Sequence, residues 1–258
     1  MRKLIAFVLA VLMLFSFTAC GNTDENPKTD GTTASTTQPT ESTVSYIGGK
    51  DASKLTYVAF GDSITYGIDG NYKSGDTGYH MEKPYPTLVG EMLGIGTVDN
   101  QGKSGATFCP NPERANMTDR ILSFSGEADI ISLMLGVNDF VSCHSLGDDT
   151  SRDNTTIYGC LHLISQYLKN NYPDACIFYM TPFQCNRKVV NFYTLEDVAT
   201  AIKTVAAQYD IPVLDMYNEG KYEQEMNVNP NDGIHPSQQH HITYTAPMIC
   251  QFIEQNYS

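Results

Sequence analysis

The chain of 258 residues contains no tryptophan, and its 16 lysines and arginines are outnumbered by 29 aspartates and glutamates, which gives a formal net charge of −13. Without tryptophan, the chain lacks the largest aromatic surface for stacking on a ligand ring. An acidic chain is repelled by the phosphates of nucleic acids and by an anionic bilayer surface. We therefore expect no nucleic-acid partner, and the charge argues against direct hydrolysis of phospholipids.

Three common catalytic signatures are also absent. Ser104 is followed by Gly105 and then Ala106, so no Gly-x-Ser-x-Gly turn of an α/β-hydrolase occurs. Cys143 and His144 are neighbours in the chain, as are the histidines at 240–241, whereas the ligands of a closed zinc site are separated along the chain. A phosphate-binding Gly-x-x-x-x-Gly-Lys-Ser/Thr loop is missing too. We expect no metal and no cofactor.

What the chain does contain is a set of four short fragments with residues suited to acyl transfer. They are, in chain order, GDSIT (61–65), NQGKSG (100–105), GVND (136–139) and DGIHP (232–236). The first three follow apolar, strand-like runs. A polar fragment in that place falls where an open parallel sheet has its ligand crevice. Each fragment is weak by itself, but their order and placement predict one shared site.

The chemistry of these fragments centres on a serine. Ser63 is a poor nucleophile until a base takes its proton. An imidazole is the base suited to neutral pH, and His235 supplies one. Asp232, three residues earlier, can hold the other ring nitrogen. The backbone N–H groups of Ser63 and Gly105 and the side-chain amide of Asn138 are candidate donors to the negative oxygen of a tetrahedral intermediate. Together these parts predict acyl transfer to water.

In these fragments and their order, over residues 57–237, the chain resembles the SGNH, or GDSL-type, hydrolases. The resemblance implies that Ser63, Asp232 and His235 form a catalytic triad and that Ser63, Gly105 and Asn138 form the oxyanion hole. No catalytic position of the family is substituted. It also implies a flavodoxin-like three-layer α/β/α sandwich with a mostly parallel five-stranded sheet.

The hydrophobic pattern independently predicts an α/β protein, because strand-like runs alternate with amphipathic segments along the chain. Strands are predicted near 55–60, 96–99, 129–135, 175–180 and 212–215. Helices are predicted near 84–93, 113–123, 155–170, 195–209 and 237–255.

The N-terminus predicts export. Basic residues precede an apolar run that is short for a membrane span, and residues 1–20 resemble a bacterial lipoprotein signal with Cys20 as the lipidated first mature residue. An ordinary secretory signal cleaved nearby is the alternative. Residues 21–50, rich in Ser, Thr, Asn and acidic residues, are predicted to be a tether, and residues 51–258 a single hydrolase domain. We expect a lipoprotein that faces outward and contacts the membrane only through its lipid anchor.

Six cysteines follow Cys20, and export permits disulfides. They are Cys109, Cys143, Cys160, Cys176, Cys185 and Cys250. Sequence alone does not define their pairing. A bridge between Cys109 and Cys143 is one hypothesis, because both follow loops expected to meet at the crevice; buried free thiols are the alternative.

Three functions fit the sequence. The first is an esterase that removes acetyl groups from a small or polymeric carbohydrate; xylan, pectin, peptidoglycan and host glycans all fit. The second is a lysophospholipase or short-chain lipase, and the third a surface glycan-binding lipoprotein that has lost catalysis. The tyrosines of 66–85 are either a sugar-stacking rim or the anchors of a surface loop. Arg187 either binds an acidic sugar or is solvated. Acyl chain length and oligomeric state are left open.

Overall fold

A five-stranded parallel sheet forms the centre of the fold. Its strands are β3 (Thr56–Gly61), β4 (Thr97–Asn100), β5 (Ile130–Met134), β6 (Cys176–Met180) and β7 (Val213–Leu214). They lie in the order β4-β3-β5-β6-β7, and every neighbouring pair is parallel. The computed structural model describes residues 44–71, 79–221 and 233–257.

The central strands are apolar because helices cover both faces of the sheet. All five residues of β5 are buried, as are five of the six in β3. Strands covered on both faces read as continuous hydrophobic runs rather than as alternating patterns. The predicted α/β fold, with its five strands, is confirmed.

The helices, in chain order, are α1 (Ser63–Tyr66), α2 (Tyr85–Leu93), α3 (Met117–Leu122), α4 (Val137–Val141), α5 (Ile157–Asn171), α6 (Leu195–Gln208), α7 (Met216–Glu219), α8 (Gln238–His240) and α9 (Ala246–Asn256). A π-helical turn, His241–Thr245, joins α8 to α9, and a 3₁₀ turn, Ala52–Lys54, precedes β3. Helices α3 and α6 both pack against α5, whereas α2 packs against α9.

One predicted helix is shorter than expected. The sequence predicts a helix over 113–123, but α3 begins only at Met117. Asn116 caps it, since its side-chain oxygen accepts a hydrogen bond from the backbone N–H of Asp119 at 3.3 Å. An asparagine in this position satisfies an N–H group that would otherwise lack a partner, so the helix starts there.

The strand order places the loops that carry the predicted site side by side. After β3 the chain forms β4 on one side of it and then crosses to form β5 on the other. Ligands bind at such a reversal, outside the carboxyl ends of the strands. Gly61, at the end of β3, is in register with Met134, at the end of β5. Ser63 and Asn138 therefore leave the sheet from adjacent strands.

A short antiparallel hairpin precedes the sheet. It consists of β1 (Tyr46–Ile47) and β2 (Lys50–Asp51), and Ile47 is buried in the hydrophobic core. The hairpin begins within the segment assigned to the tether, 21–50, and ends at Asp51, and the folded unit spans Thr43–Ser258. Cys20 and the signal segment lie outside the described residues. Among the residues that the structure describes, none of the helices combines the length and hydrophobicity of a membrane span.

The six cysteines of the folded unit are all free thiols. The hypothesis of a bridge between Cys109 and Cys143 is therefore wrong. Cys109 is buried against α5, with its sulfur 4.0 Å from that of Cys160, whereas Cys143 is exposed and its thiol faces the carbonyl of Val190. The two side chains lie in different surroundings, because Cys109 is in the buried loop after β4 and Cys143 follows the end of α4 at the surface.

Candidate active site

The nucleophile candidate lies at the start of a short helix directly after β3. Ser63 is the first residue of α1 and is only 4% exposed. Asp62 caps this helix, because its carboxylate accepts a hydrogen bond from the backbone N–H of Ile64 at 2.9 Å. The change from strand to helix within two residues holds the serine hydroxyl at the carboxyl edge of the sheet.

His235 reaches this hydroxyl from the other end of the chain. Its Nε2 lies 2.7 Å from Ser63 Oγ, a distance at which the hydroxyl donates a hydrogen bond to the ring nitrogen. This is the contact that a general base needs in order to take the proton of the nucleophile. The structure thus brings together residues 63 and 235, which the sequence analysis had placed in one site. Asp232 lies outside the described residues, so its role stays a prediction.

The loop that carries His235 is held by backbone contacts that the sequence did not predict. Gly70 N donates to Pro236 O at 2.8 Å, and Asn186 N donates to Gly233 O at 2.8 Å. A Cβ at Gly70 would lie 2.0 Å from His235 O, closer than any real contact. Gly70 thus allows the segment after α1 to lie directly against the backbone of the histidine.

The second fragment lies against the first. Asn100, at the end of β4, donates from Nδ2 to Thr65 O at 2.8 Å and accepts from Gly102 N at 3.0 Å. Gly105 follows with a φ of +75°, in the left-handed region that glycine adopts without strain. The predicted oxyanion glycine therefore belongs to a loop that one asparagine side chain ties to α1.

The third fragment approaches the second through Asn138. This residue is the second of α4 and is 8% exposed. Its Nδ2 donates to Ala106 O at 3.0 Å, and its Oδ1 accepts from Arg114 Nη1 at 3.3 Å. The same Nη1 lies 3.4 Å from Gly105 O. The structure therefore brings the two predicted oxyanion residues together, with an arginine that the sequence had not singled out.

The residue next to Asn138 braces the same loop. Asp139 is fully buried, and its carboxylate accepts from Phe108 N at 2.9 Å, from Cys109 N at 3.1 Å and from His144 Nδ1 at 3.0 Å. Cys109, Asp139 and His144 each have one atom that could bind a metal ion, and these three atoms lie within 4.8 Å of one another. Both carboxylate oxygens already serve backbone N–H groups, so the trio acts as a structural brace. The sequence analysis considered Cys143 and His144 as a pair and missed this contact, because the partner of His144 is Asp139, five residues earlier.

Two buried groups near the site have shifted pKa values. Burial raises the pKa of Asp62 to about 6, although the hydrogen bond from Ile64 and the charge of His235 oppose the shift. Burial lowers the pKa of His241 to about 3, which keeps its ring neutral. His241 Nδ1 accepts from Tyr85 N at 3.0 Å. The histidines at 240–241 are therefore part of the core.

The tyrosines and the arginine considered for substrate binding differ in their exposure. Tyr85 is fully buried, and its hydroxyl shares a 2.9 Å hydrogen bond with Thr65, so it anchors its segment rather than forming a rim. Tyr66 and Tyr79 are 40% and 43% exposed. Tyr72 lies outside the described residues. Arg187 is exposed, which agrees with a solvated side chain.

A buried serine in contact with a histidine, at the carboxyl edge of a parallel sheet, is the arrangement of a serine hydrolase. The model of the GDSL-like lipase/acylhydrolase family matches residues 59–241, which include Ser63, Gly105, Asn138 and His235. The chain belongs to this family. The family match identifies it as a GDSL-like hydrolase.

Solved structures share the fold. A protein from Lactobacillus plantarum is 23% identical, with a TM-score of 0.66, over 80% of this chain and 99% of its own. A protein from Chitinophaga pinensis, described as a possible lipase, is 26% identical, with a TM-score of 0.64, over 78% and 98%. A carbohydrate acetylesterase family member from Sinorhizobium meliloti is 19% identical, with a TM-score of 0.54, over 78% and 99%. No curated protein matches the chain.

Proposed function

We propose that the protein is an exported serine esterase that hydrolyses short acyl esters, chiefly acetyl esters on carbohydrates, through an acyl-enzyme. The observation that carries the proposal is the 2.7 Å contact between His235 Nε2 and Ser63 Oγ. A serine hydroxyl needs such a base to attack the carbonyl carbon of an ester.

The proposed reaction has two halves. Ser63 Oγ attacks the ester carbonyl carbon while its proton passes to His235 Nε2, and Asp232 holds the other ring nitrogen. The negative oxygen that forms accepts hydrogen bonds from the N–H groups of Ser63 and Gly105 and from Asn138 Nδ2. The histidine then gives the proton to the departing alcohol. Water repeats the sequence on the acyl-serine and restores the enzyme.

The surroundings of the pair favour a small acyl group on a polar alcohol. Gly70 lies against the backbone of His235, and the two predicted oxyanion residues outside α1 are a glycine, Gly105, and an amide, Asn138. The acidic charge of −13 does not suit an anionic lipid surface. One structural neighbour is named a carbohydrate acetylesterase family member, which agrees with this substrate class.

The proposal includes a place in the cell. The apolar leader that ends at Cys20, followed by the polar segment 21–50, supports a lipid-anchored domain on the outer side of the bacterial membrane. Such a domain would meet carbohydrate polymers at the cell surface.

The test is hydrolysis of p-nitrophenyl acetate, butyrate and octanoate by the wild type and by Ser63→Ala. We expect the largest kcat/KM on acetate, and a loss of about 10⁴-fold or more in Ser63→Ala, because the nucleophile and its proton transfer are both removed. The folded state of the variant is checked by its thermal unfolding.

Each alternative gives a different result. A preference for octanoate would favour the lipase hypothesis and contradict the acetyl specificity. Turnover that persists in Ser63→Ala would place the nucleophile elsewhere. Binding of acetylated glycans without hydrolysis of any ester would favour the inactive glycan-binding lipoprotein.

A further inference from the structure

The side chain of Arg114 joins the loop that carries Gly105 to helix α4, which carries Asn138. Arg114 lies between β4 and α3, nine residues beyond Gly105, and is half-buried. Its Nη1 lies 3.3 Å from Asn138 Oδ1 and 3.4 Å from Gly105 O. One guanidinium nitrogen therefore faces an oxygen of each residue predicted to stabilise the oxyanion.

This contact determines which way the amide of Asn138 points. Its Oδ1 faces the guanidinium, and one hydrogen on Nδ2 is donated to Ala106 O at 3.0 Å. The second Nδ2 hydrogen remains for the substrate, because an amide nitrogen carries two. If the amide were turned over, its N–H₂ group would face the N–H groups of Arg114 and its oxygen would face the carbonyl of Ala106. Both contacts would be repulsive.

The positive charge adds to the effect of orientation. A charged donor on Oδ1 withdraws electron density from the amide, which makes the remaining N–H a stronger donor to a negative oxygen. Within the described ranges, the ion pairs are formed by other basic residues, and none of them pairs a carboxylate with Arg114. Among the described residues, no carboxylate therefore lies within ion-pair distance of its guanidinium.

We infer that Arg114 is a positioning residue for the oxyanion hole: it holds Asn138 in its donating orientation and strengthens that donor. The inference rests on the proposed ester hydrolysis. Arg114 acts through Asn138, because its other contact, with Gly105 O, is to a carbonyl and not to the N–H of Gly105 that would face the oxyanion. Its effect therefore requires the amide of Asn138 to be present.

A double-mutant cycle tests this dependence. Arg114→Met, which keeps a long side chain but no donor, is combined with Asn138→Ala, and kcat and KM for p-nitrophenyl acetate are measured for all four proteins. We expect Arg114→Met alone to lower kcat roughly 10- to 100-fold, the range of one charged hydrogen bond, with KM changed less than twofold. In the Asn138→Ala background the same substitution should lower kcat less than twofold.

Two controls separate this role from a structural one. Arg152→Met removes an exposed arginine whose Nη1 bonds to carbonyls of its own loop, at 2.8 Å from Asp149 O and Ser151 O, and should leave kcat unchanged. Arg114→Lys restores one charged donor and should recover part of the loss. Thermal unfolding of each variant reports on folding, and recovery in Arg114→Lys supports the inference even if Arg114→Met is unstable.

The outcomes are distinct. Equal losses from Arg114→Met with and without Asn138, a loss confined to KM, or no loss at all would overturn the role of Arg114 while leaving the ester hydrolysis intact. Absence of Ser63-dependent turnover in the wild type would overturn the proposed function and this inference together.

Discussion

The two sides of the candidate site are held by different means. On the nucleophile side, Ser63 and His235 contact each other directly, and the loops behind them fit through close backbone approach at Gly70. On the oxyanion side, Gly105 lies in the loop after β4 and Asn138 in helix α4, and the two are joined by polar side chains. A side built on backbone fit is sensitive to added volume, whereas a side built on hydrogen bonds is sensitive to the loss of a single donor or acceptor.

After loss of the nucleophile itself, the largest effect should follow from removing the side-chain donor on the oxyanion side. Asn138→Ala removes the side-chain N–H expected to face the oxyanion, and we expect kcat on p-nitrophenyl acetate to fall by about 10²–10³-fold. KM should change little, because the hydrogen bond strengthens only as negative charge develops on the substrate oxygen.

Asn116→Ala is the matched control for this substitution. It removes the side-chain cap of α3, and therefore should lower the free energy of unfolding by about 1 kcal/mol without a comparable loss in kcat. A loss below tenfold in Asn138→Ala would contradict its role as an oxyanion donor.

The sequence predicted this side of the site only in part. Gly105 and Asn138 could be found because each follows a strand-like run, and the carboxyl ends of parallel strands share one edge of the sheet. Arg114 could not be found in this way. It lies in an irregular loop, and its contact with Asn138 depends on how that loop folds back over 24 residues of sequence separation.

The nucleophile side shows the same division. Ser63 and His235 were predicted from their chemistry, since a serine needs a base within hydrogen-bonding distance. Gly70 was not predicted, because glycines are common between turns. Here a glycine is needed because the backbone of His235, 165 residues further along the chain, lies directly against it. The burial of Tyr85 and of His241 was equally hidden, since the character of polar aromatic residues does not distinguish a core position from a surface one.

The burial of Asp62, on the nucleophile side, should make the stability of the protein depend on pH. Its pKa is raised from 3.8 to about 6 in the folded protein, so the folded state binds the proton more tightly than the unfolded state. The stability that this group contributes is complete below about pH 4 and is lost as the pH rises through 6. A difference of roughly two pKa units corresponds to about 3 kcal/mol. Asp62→Asn, which keeps an oxygen to cap Ile64, should abolish that loss.

The measurement is chemical unfolding of wild type and Asp62→Asn from pH 3.5 to 7.5, where the difference in the free energy of unfolding between the two proteins isolates the contribution of Asp62.

The contribution of His241 to stability has the opposite dependence on pH. Its pKa in the folded protein is lowered from 6.5 to about 3, so the stability that the neutral ring contributes is present above pH 6.5 and is lost as the pH falls. In His241→Asn this loss of stability at acidic pH should therefore disappear. Parallel pH curves for wild type and Asp62→Asn would contradict the raised pKa.

The smallest effect should come from adding a single methyl group where the nucleophile side depends on close fit. In Gly70→Ala the new Cβ would meet His235 O at 2.0 Å, so the backbone must move and the histidine shifts with it. A displacement of a fraction of an ångström weakens the proton transfer, and we expect kcat to fall about tenfold. Gly96→Ala is the matched control, because its Cβ would meet Ser53 O at the same 2.0 Å, at the end of the sheet away from the site. Both variants should lose stability, but only Gly70→Ala should lose turnover beyond that. Equal kcat values in the two variants would show that the position of His235 does not depend on the backbone fit at Gly70, and the contrast between the two sides of the site would then fail.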